Sequence, residues 1–293
     1  MRVSDRMIYD QAALNSMQAR DNVLKASDQA STGRRVTHPG DDPTAAGLIV
    51  KGRTILSRLD AVNTGAARAN DELSAADSSL QQLSDVVARA RELTVQMGND
   101  SYSASDRANA ATEMDTLYRQ ALTLMNANVN GRYIFGGMKD NQPPFDASGN
   151  YAGDTNVRQV EVAPGVVEDA SIRADVAVKG VGGGADLFAT MTALKTALTS
   201  NDGAGIRGAL SNLDTVTHQL GNALAKVGAS MDSFQTAQTV ATSAKLDATT
   251  ALSHEQDADA YTSTTQLALA NHALDATLTA SAASFQMSLV DKL

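Results

Sequence analysis

The fold is decided by residues 43–98, PTAAGLIVKGRTILSRLDAVNTGAARANDELSAADSSLQQLSDVVARARELTVQMG. Read in alternating steps of four and three residues, this stretch meets an apolar side chain at every step except Thr94. The apolar positions are Ile55, Leu59, Val62, Ala66, Ala69, Leu73, Ala76, Leu80, Leu83, Val87, Ala90 and Met97. This heptad pattern is typical of a long helix packed against other long helices. Asp41 or Asp42 can cap the first amides, and Gly98 offers a left-handed stop. We therefore predict one unbroken helix that needs other helices beside it.

The composition excludes several classes of protein. The 293 residues include 24 basic and 33 acidic side chains and no cysteine. The net charge of −9 argues against a nucleic-acid partner, which would require a basic face. Without cysteine there is neither a disulfide framework nor a thiolate metal site. The sequence contains no run of about 18 apolar residues, so we expect no membrane span. The first residues lack the apolar core of a cleaved signal peptide.

Both ends of the chain carry weaker stripes of the same period. They are formed by Val3, Met7, Leu14, Met17 and Leu24 at one end and by Leu267, Leu274, Leu278 and Phe285 at the other. Aspartates interrupt the first stripe, so its helix needs a partner. Residues 1–40 carry a net charge of +2 and residues 253–293 carry −4, which favours pairing of the two arms. We predict that these nine residues form an assembly interface.

The middle of the chain changes character. Residues 132–184 contain three of the five prolines, several glycines and two alternating runs, VRQVEVA (157–163) and SIRADVAV (171–178). Alternation predicts half-buried strands, and YIF (133–135) is a further short candidate. Three consecutive glycines, 182–184, are predicted to form an exit hinge. A phosphate-binding loop is the other interpretation of a glycine run, but no lysine or threonine follows at P-loop spacing. We predict a small, independent β module inserted into a helical rod.

The predicted architecture is therefore mainly α with a small β insert. A second helix is expected from about residue 105 to 130, a short one over 187–198, and further long helices with a bend near 252–261. The predicted segments are 1–40 (amino-terminal arm helix and linker), 41–131 (rod helices), 132–184 (β module), 185–252 (rod helices) and 253–293 (carboxyl-terminal arm helix). The order of segments is palindromic: arm, rod, module, rod, arm.

Few residues could carry chemistry. His254, Glu255, Asp257 and Asp259 form the only dense cluster of metal-ligand types, but helical spacing would scatter them, and a solvated bend is the simpler interpretation. The adjacent aspartates before Pro43 are better explained as a helix cap than as a carboxylate pair. We predict no catalytic residues, no metal, no cofactor and no enzymatic activity.

Several motifs together resemble one family. They are STGRRVTHPGDDPTAAG (31–47), VNGRYIFGG (129–137), PPF (143–145), YAGD (151–154), VRQVEVAPG (157–165), LAKVGASMDSF (224–234) and the closing segment 257–293. The chain resembles the flagellin superfamily and, within it, the hook–filament junction proteins of the FlgL type, the third hook-associated proteins. The series from 129 to 165 carries the narrower resemblance. DADAY (257–261) departs from the family, whose members often place the tyrosine directly after the second acid.

The resemblance implies a structural protein of the bacterial flagellum with a flagellin-like helical bundle and a small β-rich outer domain. It implies export through the flagellar export apparatus, without a cleaved signal peptide and with a chaperone bound near the carboxyl end. The protein would form a ring between the first hook-associated junction protein and the flagellin filament. A filament-forming flagellin is the alternative, and an enzyme is a more distant one.

Overall fold

The computed structural model describes the backbone of residues 2–290 and the side-chain environments of residues 6, 7 and 9–283. Within this part of the chain the helices are α1 (Arg2–Thr32), α2 (Pro43–Met97), α3 (Ala104–Met125), α4 (Ala174–Lys179), α5 (Leu187–Thr199), α6 (Gly203–Gln256) and α7 (Ala260–Val290). The strands are β1 (Asn128–Val129), β2 (Arg132–Tyr133), β3 (Gln159–Ala163) and β4 (Val166–Asp169). The predicted fold class, mainly α with a small β insert, is confirmed.

The long helix α2 forms where the heptad pattern predicts it. Its start is capped by Asp42, whose Oδ1 accepts hydrogen bonds from the amides of Thr44 at 3.1 Å and Ala45 at 3.0 Å. Of the predicted stripe, the positions from Val62 onward are buried. Thr94 fits this buried stripe because its hydroxyl donates to the carbonyl of Ala90 at 2.7 Å. A buried hydroxyl that is satisfied in this way costs the core little.

The second helix ends earlier than predicted. Ser103 and Asp106 form a capping box at the start of α3, but the helix stops at Met125. Residues 128–133 form a hairpin of β1 and β2 instead, with Asn130 and Gly131 at its turn, both at positive φ. Asn-Gly is the dipeptide that tight hairpins favour, so these residues begin a strand pair and do not extend the helix.

The second pair of strands corrects one prediction. β3 lies within the predicted run 157–163, but its antiparallel partner is β4, across the turn at Gly165. The run 171–178, predicted as a strand, largely forms helix α4. Its buried apolar residues Ala174, Ala177 and Val178 follow helical spacing, and Gly180 closes the helix in the left-handed conformation. An alternating pattern this short also fits a helix.

The chain divides into two compact units. Unit 1 comprises the residues up to 59 and those from 243, and unit 2 comprises residues 60–242. The break between α6 and α7 falls at residues 257–259, inside the predicted bend. No helix among the described residues is long and apolar enough to cross a membrane.

Unit 2 has one continuous core. Phe135, Phe145 and Ile172, from the predicted β module, belong to the same buried cluster as Leu83 of α2 and Met114 of α3. The aromatic rings are in contact as well: Phe188 of α5 lies 5.3 Å from Phe145, centroid to centroid. The segment 132–184 therefore shares its core with the helices, in contrast to the predicted independent module. The predicted segment boundaries stay a prediction.

Candidate assembly interface

The two terminal arms pair in unit 1 through a seam of mostly small side chains. Helix α1 packs against α7. On each helix the less exposed residues recur in steps of four and three. On α1 they are Ala12, Ser16, Ala19, Val23, Ala26 and Ala30, and on α7 they are Ser263, Leu267, Ala270, Leu274, Thr277 and Ser281. Small residues at a heptad seam allow close approach of two helices, while each contact buries little apolar area.

The large side chains of α1 lie elsewhere. Met7, Leu14, Met17 and Leu24 are between 60% and 68% exposed. They therefore do not form the seam with α7. A set of exposed large apolar side chains on one helix marks an interaction surface, since soluble proteins rarely leave such a set uncovered.

The predicted residues of α7 divide between the two surfaces. Leu267 and Leu274 are half-buried on the seam, whereas Leu278 is 42% exposed. Val3 and Phe285, also predicted, lie outside the residues whose side chains the structure describes. Among the predicted residues whose side chains are described, the large residues of α1 thus do not lie on the seam that holds Leu267 and Leu274. Whether they contact neighbouring subunits stays a prediction.

A charge pair ties α1 to the loop that precedes α2. The ammonium group of Lys25 lies 2.8 Å from Oδ1 of Asp41. The same carboxylate accepts a hydrogen bond from the amide of His38 at 2.9 Å. The hydrogen bonds from Lys25 and from the His38 amide hold the pKa of Asp41 well below its ordinary range. The ion pair with Lys25 and the amide hydrogen bond thus both favour the charged form of Asp41 in the folded chain.

The polar cluster at the end of α6 has structural roles. Asp257 accepts a hydrogen bond from the hydroxyl of Ser253 at 2.6 Å. Asp259 accepts from the amide of Thr262 at 2.7 Å, which caps α7 and lowers the pKa of the carboxyl. Among the described residues, no group of three or more His, Cys, Asp or Glu side chains could hold a metal ion.

Unit 2 offers grooves but little reactive chemistry. The groove between α2 and α3 has a volume of about 570 Å³ and is lined by Gln82, Asp85, Val86, Thr116, Arg119, Gln120, Thr123 and Leu124. These side chains do not include a nucleophile beside a general base, the arrangement that usually marks a catalytic site. The groove supports no catalytic assignment.

The comparisons with known proteins define the class of the protein first. The family model described as the bacterial flagellin N-terminal helical region matches residues 3–140. In the solved structure of a putative flagellar hook-associated protein from Vibrio parahaemolyticus the fold recurs with a TM-score of 0.67. That alignment covers 74% of this chain and 100% of the other, at 21% sequence identity. The first finding relates residues 3–140 to the helical region of flagellins, and the second shows that the fold recurs in a solved structure.

Two curated relatives narrow the class to one family. Flagellar hook-associated protein 3 of Salmonella typhimurium is 38% identical over 159 residues, 52% of this chain and 49% of that protein. Flagellar hook-associated protein 3 of Escherichia coli is 30% identical over 258 residues, 76% of this chain and 80% of that protein. The chain belongs to the family of flagellar hook-associated protein 3, the FlgL-type proteins of the hook–filament junction. The Salmonella alignment spans about half the length of that relative.

Proposed function

We propose that the protein is a structural adaptor of the bacterial flagellum. It forms a ring that joins the first hook-associated protein, on the hook side, to the flagellin filament. Family membership supports this role. The observation that carries it is the exposed set of large apolar side chains on α1 beside a separate, internal seam. A protein that joins two polymers needs such a surface for its neighbours.

Two sets of residues make the proposed interface. The predicted set on α1 is Val3, Met7, Leu14, Met17 and Leu24. The predicted set on α7 is Leu267, Leu274, Leu278 and Phe285, of which Leu267 and Leu274 are half-buried on the seam within the chain. A large apolar side chain that becomes fully buried contributes about 1.5–3 kcal/mol. In the single chain four of these side chains are exposed: Met7, Leu14, Met17 and Leu24. Most of this free energy would therefore be released when neighbouring subunits cover them.

The double variant Leu14→Asp, Leu24→Asp tests the interface. Both side chains are exposed in the single chain, so we expect a normal helix content and a normal melting temperature. Hooks should no longer acquire the ring, and cells should release flagellin into the medium because the filament has no base to grow from. The matched control is Gln18→Asp, Asn22→Asp, which places the same charges at exposed polar positions of α1. Normal ring formation by the leucine variant would refute the interface.

The filament-forming alternative has its own test. The family model is shared with flagellins, so a chain of this class could in principle polymerise by itself. Purified protein would be added to flagellar seeds, and filament length would be measured by electron microscopy. An adaptor adds a cap of fixed length to a seed, whereas a flagellin extends it without limit. Long filaments would favour the alternative.

The remaining parts of the proposal concern export and chemistry. The protein leaves the cell through the flagellar export apparatus, without a cleaved signal peptide and with a chaperone bound near its carboxyl end. It resides in the extracellular flagellum, needs no cofactor and catalyses no reaction. Mass spectrometry of the secreted protein tests the export route, because cleavage of an amino-terminal signal would shorten the chain.

A further inference from the structure

The two interruptions between long helices meet in unit 1. The loop that follows α1 lies against the break that precedes α7. The amide of Arg35 donates a hydrogen bond to the carbonyl of Gln256 at 2.8 Å, and the amide of Ala258 donates to the carbonyl of Gly33 at 2.9 Å. The loop after α1 and the break before α7 are therefore joined by backbone hydrogen bonds. We refer to this contact between residues 33–42 and 255–258 as the joint.

Side chains fasten the joint from two directions. The guanidinium of Arg35 donates to the carbonyl of Glu255 at 2.8 Å and to the carboxylate of Asp42 at 3.1 Å. Nη2 of Arg53, on α2, donates to Oε1 of Gln256 at 2.7 Å. Gln256 is only 8% exposed. The hydrogen bond from Arg53 fixes the position of this buried amide. Without a donor, the buried amide oxygen would destabilise the folded protein.

A small apolar cluster lies under the same loop. Val36, from the loop, is buried together with Ala45 and Ile49 of α2, and Leu252 of α6 packs against them. The loop is therefore seated on the helices on both sides of it. A spacer that only connected the arm to α2 would need neither a buried valine nor the hydrogen bonds around Gln256.

We propose that the joint sets the direction of both arms together and that Gln256, held by Arg53, is its positioning residue. Two unconnected helix breaks would act as swivels, and each arm would sample many directions. Joined breaks hold the α1–α7 pair in one direction before any neighbour binds. Preorganisation of this kind lowers the entropic cost of assembly. The consequence for assembly rests on the proposed function, whereas the geometry within the chain does not.

Distance measurements by pulsed electron paramagnetic resonance test the joint in the full chain. The protein has no cysteine, so cysteines introduced at Gln18 on α1 and Lys51 on α2, both exposed, accept spin labels at these two sites alone. We expect a narrow distance distribution in the parent and a distribution at least twofold broader with Gln256→Leu. Gln256→Glu keeps an acceptor for Arg53 and should stay narrow. A broad distribution in the parent, or an unchanged one in Gln256→Leu, would overturn the proposal.

Two further measurements keep the result unambiguous. If Gln256→Leu does not fold, Arg53→Met removes the same hydrogen bond from the exposed side and should broaden the distribution equally. In ring assembly on isolated hooks, Gln256→Leu should reduce occupancy about tenfold at unchanged melting temperature, and Gln256→Glu should restore it. Normal occupancy with a broadened distribution would refute the assembly role of the joint. Failure of the proposed interface would appear separately, as normal assembly by Leu14→Asp, Leu24→Asp.

Discussion

Arg107 is the polar residue on which we expect unit 2 to depend most. Its side chain is only 5% exposed. The guanidinium donates to the carbonyls of Met97 at 3.0 Å and Asn99 at 3.1 Å, and to Oδ1 of Asn201 at 2.7 Å. One side chain thus connects the turn between α2 and α3 with the turn between α5 and α6. Replacement by methionine keeps an unbranched apolar stem, although a shorter one, and removes every donor.

The expected loss follows from these contacts. The carbonyl of Met97 belongs to a buried residue, and an unpaired buried acceptor costs about 1–3 kcal/mol. Asn99 and Asn201 are exposed, so water replaces the guanidinium there, and only the net contribution of hydrogen bonds to a charged group is lost. Together these effects predict that Arg107→Met lowers the free energy of unfolding by about 2–4 kcal/mol.

Urea unfolding followed by far-ultraviolet circular dichroism measures this loss. The matched control is Arg119→Met on the same helix, whose guanidinium is largely exposed and pairs with Asp115. Surface pairs of this kind contribute little, so the control should unfold at the parent midpoint. An Arg107→Met protein that also unfolded at the parent midpoint would refute the assignment of Arg107 as the connection between the two turns.

Three further predictions concern the core, the arms and their surface. Phe188→Ala should destabilise the protein by about 3–5 kcal/mol in the same assay, because its buried ring packs on Phe145 and Tyr118; a loss below about 1 kcal/mol would contradict that packing. Since the pKa of Asp41 is lower in the folded chain, its contribution is complete above the unfolded pKa and is lost as the pH falls below about 4. Asp41→Asn should therefore melt earlier at pH 7 and show a weaker pH dependence of Tm in this acidic range, and parallel curves would argue against it. Oxidation of the exposed thioethers of Met7 and Met17 by peroxide should impair binding to isolated hooks, because a sulfoxide is polar. The variant Met7→Leu, Met17→Leu should resist this treatment, and equal sensitivity would place the damage elsewhere.

The long-range periodicity of the sequence predicts most of the helical framework. The heptad stripe locates α2 to within one residue, and the short apolar stripe at 187–198 locates α5. Both patterns are long or strongly apolar, and the local signal suffices. The run 171–178 is shorter, fits either a strand or a helix, and forms α4 because the helix buries its alanines and valine in a core that the sequence does not reveal.

The candidate interface is only partly predictable for a different reason. A search for large apolar residues finds Leu14 and Leu24, and also Leu267 and Leu274 on the α7 side of the seam. It misses the α1 side of the seam, which consists mostly of alanine. The arginines at 34 and 35 carry no local signal, and the role of Arg35 becomes visible only when Gln256 lies beside it. Contacts between residues more than 200 positions apart depend on tertiary structure, which periodicity alone does not determine.

A density map of the assembled hook–filament boundary, at a resolution that shows side chains, tests the central claim most directly. The account predicts a ring of this protein between the first hook-associated protein and flagellin. In that ring, Met7, Leu14, Met17 and Leu24 are covered by neighbouring subunits, while Ala19 and Ala26 stay on the seam within each chain. A map in which the four large side chains remain exposed to solvent would contradict it.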